Sequence, residues 1–509
     1  MTATTTGRAA VITVSTRRAG RRAITPLLIG LFATALSLVA ISVPSVWYDE
    51  AATIGSATRT WPQLLAEVSN VDAVHALYYA FMHVVFDVFG YSPLTLRFPS
   101  AIAIGITAAF VVVLGRQLGR ERLAIIAGLV FALLPRVTWA GAEGRSYAAT
   151  TTVAVLLTVV LVHALRQRRR RWWALYAALI VVSCVLFIYV ALIVVAHAVT
   201  IVILAATSPE RRPWAWRTAA WRPWFIAAAT GGLLLLPFAV VSLNQKSQIN
   251  WIHALDATSI TEVLVEQWFY TSLPFAVVGW AGIVAGLIVS FRSRFRDQRA
   301  GILIPLVLLP TILLIAASAV TSPIYTPRYL SMCLPFVALA IAVAIDAVKW
   351  RFAAVVGVAL IALLAAPQVI AQRQPEAKEF SSWSSVASFI AAERAADGAD
   401  STTAVVYGTV QRHPKASARV IAYSYPDAFA GTIDVTLDTP AAETGELWET
   451  RMPIAASTDR LVGADTVYLV TSKSRDQRPE TTRVLAADGW VLDEETSFTS
   501  VWVLRYVRA

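Results

Sequence analysis

Eleven stretches of this chain are apolar for about 20 residues each, long enough to cross the hydrocarbon core of a bilayer, where little besides helix can survive. They fall at about 24–43, 93–115, 123–141, 146–165, 172–189, 190–207, 223–243, 271–291, 300–320, 328–347 and 352–371. The whole chain is 57% hydrophobic and only 15% charged, too apolar for a soluble enzyme of 509 residues. Arg17, Arg18, Arg21 and Arg22 precede the first run, as in a signal peptide. That run is long for such a peptide and shows no clear small-residue cleavage site, so it reads as a retained helix.

The basic residues give the orientation. With a cytoplasmic start, segments 1–23, 116–122, 166–171, 208–222, 292–299 and 348–351 hold 23 of the 43 Lys and Arg, and the outward loops before residue 372 hold six. This is the positive-inside pattern. It also accounts for the formal net charge of +11 without nucleic acid: runs such as "RQRRRR" at 166–171 meet anionic membrane lipids. Cys184 and Cys333 fall inside expected spans and read as packing residues.

Two regions depart from the run of spans. The outer loop, 44–92, carries two short candidate interfacial helices, 61–68 and 75–90. In the second, His75, Tyr79, His83 and Asp87 recur every four residues and are expected to form the wet side of an amphipathic helix. From residue 372 the chain becomes charged, and its apolar runs shorten to strand length at 403–408, 465–472 and 500–507, with helical spacing in "SSWSSVASFIAAERA". The expected fold is a polytopic α-helical membrane protein of about 11 transmembrane helices with a C-terminal extracytoplasmic α/β domain. The expected parts are a cytoplasmic segment 1–23, a transmembrane catalytic domain 24–371 and an outer domain 372–509.

Charged residues expected near the outer leaflet are Asp49, Glu50, Asp72, His75, Arg97, Arg136, Glu143, Arg145, Lys246, His253, Asp256 and Arg328. Keeping ionisable groups there is costly, which favours a functional reading. Carboxylates beside arginines suit a reaction in which a hydroxyl loses its proton and a phosphate departs. The plainer alternative for Asp49 and Glu50 is that they cap a surface helix or pair with Arg59. For Arg145 it is an ion pair with Glu143. Trp47, Trp61, Trp139 and Trp251 read as interfacial anchors.

The order "WYDEAATI", "DAVHALYYAFMHVVFDVFGYSPLTLRFPS", "LLPRVTWAGAEGRSYA" resembles the amino-terminal half of the GT-C glycosyltransferases. Within these it is most similar to the dolichyl- or polyprenyl-phosphate-mannose mannosyltransferases, glycosyltransferase family 39 and its relatives. The resemblance covers about residues 25–165, resumes weakly at "YTPRYLSMCLPF", 325–336, and leaves out the tail. It implies that Asp49 is the general base, with Glu50 in a supporting or metal-linked role. The family's His-Pro-Pro-Leu element matches at His75 only, since Ala76 and Leu77 replace the prolines. "AEGRSY" matches at Glu143, Arg145 and Tyr147, and Arg328 matches the later Arg-Tyr position, where a phosphate contact is implied. Lys246 and His253, in the loop 244–270, are candidates to close over the lipid donor.

The resemblance implies an inverting transfer of mannose from a polyprenyl-phosphate-mannose lipid donor. The acceptor would be a glycolipid, lipoglycan or other envelope molecule at the outer face of the plasma membrane. A divalent cation is left open as a cofactor, and no Gly-rich phosphate loop points to a nucleotide. Within the same fold the alternative is a pentose transferase, arabinofuranosyl or aminoarabinose. The alternative of another class is a membrane transporter or lipid flippase, which would place its charges near the midplane, often in two related halves.

Overall fold

The computed structural model describes residues 23–207, 214–292, 298–398, 400–410 and 415–509, with backbone alone for 214–220. The basic segment 1–22 and parts of the loops 208–222 and 292–299 lie outside the described residues. The chain forms two compact units. One holds residues 97–370 with the first helix, and the other holds 40–96 together with 371–509.

In the first unit every apolar run folds as helix. Among the described residues, eight helices are long and apolar enough to cross a membrane: Pro93–Leu118, Tyr147–Gln167, Ile188–Thr207, Trp221–Asn244, Leu273–Arg292, Arg299–Val320, Pro327–Ala347 and Ala353–Ala371. The other three expected spans are shorter, for identifiable reasons. Ala23–Leu38 stops before Ala40, which takes a left-handed φ of 48°. The run 123–141 breaks at Leu134 into Glu121–Leu133 and Pro135–Ala140, because the residue before a proline is driven to extended backbone. Arg170–Leu186 has 17 residues and ends where Phe187 turns to extended backbone (φ −161°, ψ 108°).

Helices in lipid associate by close packing rather than by expelling water, so small residues mark the crossings. A Cβ added at Gly30 would lie 2.8 Å from the Gly105 carbonyl oxygen, and one at Gly286 would collide with the Ala340 carbonyl. Polar groups buried in the bundle bond to one another, as a low-dielectric interior demands. His197 is bonded to Thr158 Oγ1 at 3.0 Å and to the Tyr176 hydroxyl at 2.9 Å, and Trp224 Nε1 donates to that hydroxyl at 3.2 Å. Cys184 and Cys333 are buried, in keeping with packing.

The second unit contains a five-stranded sheet: β1 (Thr403–Tyr407), β2 (Ile433–Asp434), β3 (Thr466–Ser472), β4 (Trp490–Ser497) and β5 (Val501–Arg508), in the order β2-β1-β3-β5-β4. The first three strands are mutually parallel where they pair, and β5 runs antiparallel to both its neighbours. Strands β1 and β3 are buried along their whole length and correspond to the expected apolar runs. Strand β4 is mostly exposed, carries Asp493, Glu494 and Glu495, and shows no apolar run to announce it. Helix Trp383–Asp397 matches the expected helical spacing.

Loop 40–96 packs with this tail. Helix Trp61–Asn70 fits the expected short helix, but the polarity of Ala76–Phe89 is the reverse of the expected one. Tyr79 and His83 are buried, while Phe81, Val84 and Val88 are exposed, Val88 at 65%. The polar stripe turns inward because it has partners there. Tyr79 donates to Asp72 Oδ2 at 2.7 Å, and His83 Nδ1 lies 3.0 Å from the Ala57 carbonyl. Asp87 stays exposed and His75 is half-buried.

The glycine crossings give a test of the bundle. Gly286→Leu should destabilise the detergent-solubilised protein by about 1–3 kcal/mol or more through overpacking. Gly232→Leu, with nothing within 4 Å of its added Cβ, should leave the thermal midpoint unchanged.

Candidate active site

Trp47 is extended (φ −132°, ψ 177°), and the helix Tyr48–Ala57 starts just after it, so Asp49 and Glu50 occupy its first turn. Carboxylates suit that position because the amide groups there present the positive end of the helix dipole. Successive residues on a helix point about 100° apart, and the two side chains meet different fates. Glu50 is 0% exposed, with Oε1 2.7 Å from Lys378 Nζ, and the Lys378 side chain is 4% exposed. Asp49 is partly exposed. Breaking a dry pair of this kind by removing one partner costs about 3–5 kcal/mol, because the other charge is stranded.

Further bonds from the tail fix the same helix. The Val46 amide donates to the Tyr425 hydroxyl at 2.9 Å, and Ser381 Oγ donates to the Val46 carbonyl at 2.6 Å. The Tyr48 ring lies 5.1 Å from that of Trp448. Tyr425 follows the helix Arg419–Ser424, itself locked by the buried Arg419. That guanidinium pairs with Asp434 and, at 2.6 Å, with Glu449, and lies over the Tyr407 ring at 5.0 Å.

Arg59 is not the partner of the acidic pair. Its guanidinium meets Glu67 at 3.1 Å and donates to the Glu446 carbonyl at 2.7 Å. Burial pushes the Glu67 carboxyl up to about 7, against the opposing pull of Arg59 and of the Ser56 hydroxyl. His75 caps the helix Ala76–Phe89, half-buried, with its ring 5.7 Å from Tyr79.

In the other unit, Glu143, Arg145 and Tyr147 lie in the tight connection from Pro135–Ala140 to Tyr147–Gln167 and are all buried. Ser100 Oγ donates to the Glu143 carbonyl at 2.7 Å and holds that turn. A ladder of rings links it to Arg328. Tyr147 lies 6.2 Å from Phe187, and Phe187 lies 5.4 Å from Tyr329. Arg328, in the 3-10 segment Pro327–Cys333, places its guanidinium 5.0 Å over Trp251. So the loop 244–270 does reach Arg328, through Trp251. Lys246 and His253 are exposed, and His253 faces Glu262 at 3.4 Å. Asp256 is exposed and bonds locally to Thr258. Trp47 and Trp139 are buried rather than anchored at an interface.

Sequence reasoning undervalued Arg136. Its guanidinium sits between the rings of Trp139, at 4.9 Å, and Tyr270, at 5.1 Å, while donating to the Glu266 carbonyl at 3.0 Å. Adjacent "PRVTW" was the available signal: an arginine three residues from a tryptophan on a helix shares its face. Lys378 was missed outright. As for the divalent cation, no three His, Cys, Asp or Glu side chains gather among the described residues, and Glu50 is engaged by an ammonium. The donor set does not fit an ion held by such a cluster.

These features define a multi-pass helical membrane protein whose loops carry buried carboxylates, and arginines seated on aromatic rings. Its fold is that of the GT-C glycosyltransferases. ArnT from Cupriavidus metallidurans, solved bound to undecaprenyl phosphate, superposes with a TM-score of 0.57 at 14% identity, over 94% of this chain and 97% of that one. The archaeal oligosaccharyltransferase AglB from Archaeoglobus fulgidus gives 0.47 at 13% identity, over 95% and 74%. The arabinofuranosyltransferase AftD from Mycobacteria gives 0.45 at 16% identity, over 95% and 41%. Residues 75–240 match the model of the dolichyl-phosphate-mannose-protein mannosyltransferase family, which the chain resembles. Comparison with curated protein sequences finds no match. At 94% coverage the likeness to ArnT takes in much of the tail, which the resemblance in sequence had left out.

Glu67 gives a pH test. Its carboxyl titrates higher when folded than when unfolded, so its contribution to stability is full below about pH 4.5 and is lost as pH rises through about 7. The loss is on the order of 3 kcal/mol. Thermal midpoints measured from pH 5 to 8 should fall more steeply for the parent than for Glu67→Gln.

Proposed function

We propose that the protein is an inverting glycosyltransferase that takes mannose from a polyprenyl-phosphate carrier. The acceptor is a glycolipid, lipoglycan or other envelope molecule at the outer face of the plasma membrane. The observation that carries the reading is the divergence of the acidic pair. Glu50 is held inside by Lys378, and Asp49 stands at the partly exposed edge of the same helical turn.

In this reading Asp49 takes the proton of the acceptor hydroxyl, whose oxygen attacks the anomeric carbon from the face opposite the phosphate. The carbon–oxygen bond to phosphate breaks, the configuration inverts, and polyprenyl phosphate leaves with the bonding electrons. Arg328 receives the departing charge, and Arg145 assists. Arginine suits this role because its planar fork matches phosphate oxygens. The lipid tail stays in the bilayer, so the sugar arrives already activated and no nucleotide site is required. His75, Glu143 and Tyr147 shape the surrounding loops, and Lys246 and His253 close over the donor from the exposed loop.

The match of residues 75–240 to a mannosyltransferase family supports mannose over a pentose. The excess of Lys and Arg in the segments read as cytoplasmic supports an extracytoplasmic tail and outer loop.

Two substitutions test the reading. Asp49→Asn should insert and fold normally while turnover of polyprenyl-phosphate-mannose falls at least about a hundredfold, the scale of losing a general base; turnover at the parent rate would remove Asp49 from the mechanism. Arg328→Ala should raise the donor KM about tenfold or more at little change in acceptor KM. An unchanged donor KM would refute the phosphate contact.

A further inference from the structure

Lys378 lies 328 residues from Glu50 in sequence, yet its ammonium and the Glu50 carboxylate form a dry pair at 2.7 Å. The backbone around it is shaped to deliver that contact. Glu379 and Phe380, which follow at once, both take left-handed φ values, 52° and 56°. Non-glycine residues adopt that region at a cost, and two in succession mark a turn that its surroundings impose. The turn closes with the Ser381 amide donating to the Lys378 carbonyl at 2.9 Å. It sends Phe380 outward and Lys378 inward. The same segment grips the approach to the acidic pair: the Ser45 amide donates to the Pro375 carbonyl at 2.7 Å, and the Ser384 amide donates to Ser45 Oγ at 3.1 Å.

A carboxylate on a helix's first turn can swing between several rotamers. Two adjacent carboxylates also repel, and either could then turn toward solvent or substrate. An ammonium bound to one of them removes that ambiguity. With Glu50 fixed inside, the turn cannot rotate, and Asp49 is held about 100° around it.

We propose that Lys378 is a positioning residue for transfer, acting through Glu50 to fix the helical turn that presents Asp49. The tail is then a working part of the catalytic apparatus rather than an appended domain. This deepens the transferase reading and rests on Asp49 being the base.

The test uses the full-length chain in nanodiscs, with polyprenyl-phosphate-mannose as donor and an alkyl mannoside as acceptor. Lys378→Met, Lys378→Arg, Glu50→Gln and the neutral double variant Glu50→Gln/Lys378→Met are compared. Lys378→Met should lower kcat about tenfold or more at unchanged donor KM, and Lys378→Arg should keep kcat within about threefold of the parent. The double variant strands no charge, so it should recover the parent's thermal midpoint yet remain about tenfold slow, with Lys378→Met adding less than about twofold to Glu50→Gln. A well-folded double variant with the parent's kcat would show that the pair only supports the fold and would overturn the proposal. Losses that multiply would overturn it too, since Lys378 would then act without Glu50. The two readings separate cleanly: an active Asp49→Asn sinks the base, whereas an inert Asp49→Asn beside a fully active Lys378→Met sinks only the positioning role.

Discussion

Hydrocarbon cannot hydrogen-bond a peptide group, and most of this architecture follows from that. In the first unit every apolar run becomes helix, because only a helix pairs its own amides and carbonyls along the way. Polar side chains inside the bundle bond to each other, as His197, Thr158, Tyr176 and Trp224 do. Other polar chemistry gathers at helix ends and in loops. Arg136, in the short helix Pro135–Ala140, and Arg328, at the start of Pro327–Ala347, lie against aromatic faces, which replace part of the lost hydration.

The acidic pair is managed differently, by a full countercharge. A carboxylate excluded from water costs several kcal/mol if unpaired. The countercharge for Glu50 comes from 328 residues further along the sequence, within a segment that also bonds the residues leading into its helix. The buried Arg419, paired with Asp434 and Glu449, holds the next element of the tail against the same helix. Loop 40–96 and tail 371–509 are thus one folded body, although 274 residues of chain separate them.

What could be read beforehand was what depends on local pattern. The apolar runs before residue 372 fell on helices, and the runs at 403–408 and 465–472 became β1 and β3. What escaped was set by distant partners or by which neighbour a face would find. Nothing near Lys378 signals Glu50. The spacing of Tyr79 and His83 announced a polar stripe correctly, but periodicity cannot say whether water or protein lies beyond it. Here it was protein, with lipid-like Phe81 and Val88 turned away. Strand β4 escaped because its acids read as a solvated stretch, while its pairing depends on β5. Three spans came out short where Pro135, a left-handed Ala40 and an extended Phe187 cut them.

The long separation of Glu50 from Lys378 also imposes a schedule on biosynthesis. At roughly 5–20 residues per second, about 15–65 seconds pass between synthesis of the first and arrival of the second. Throughout that interval Glu50 is without the ammonium that pairs with it in the folded chain. The last hydrophobic segment, Ala353–Ala371, is made before Lys378 and Glu50 can pair. A chain that stops short of residue 378 therefore leaves Glu50 without its countercharge, so the burial of that carboxylate reports that synthesis has passed the last hydrophobic segment.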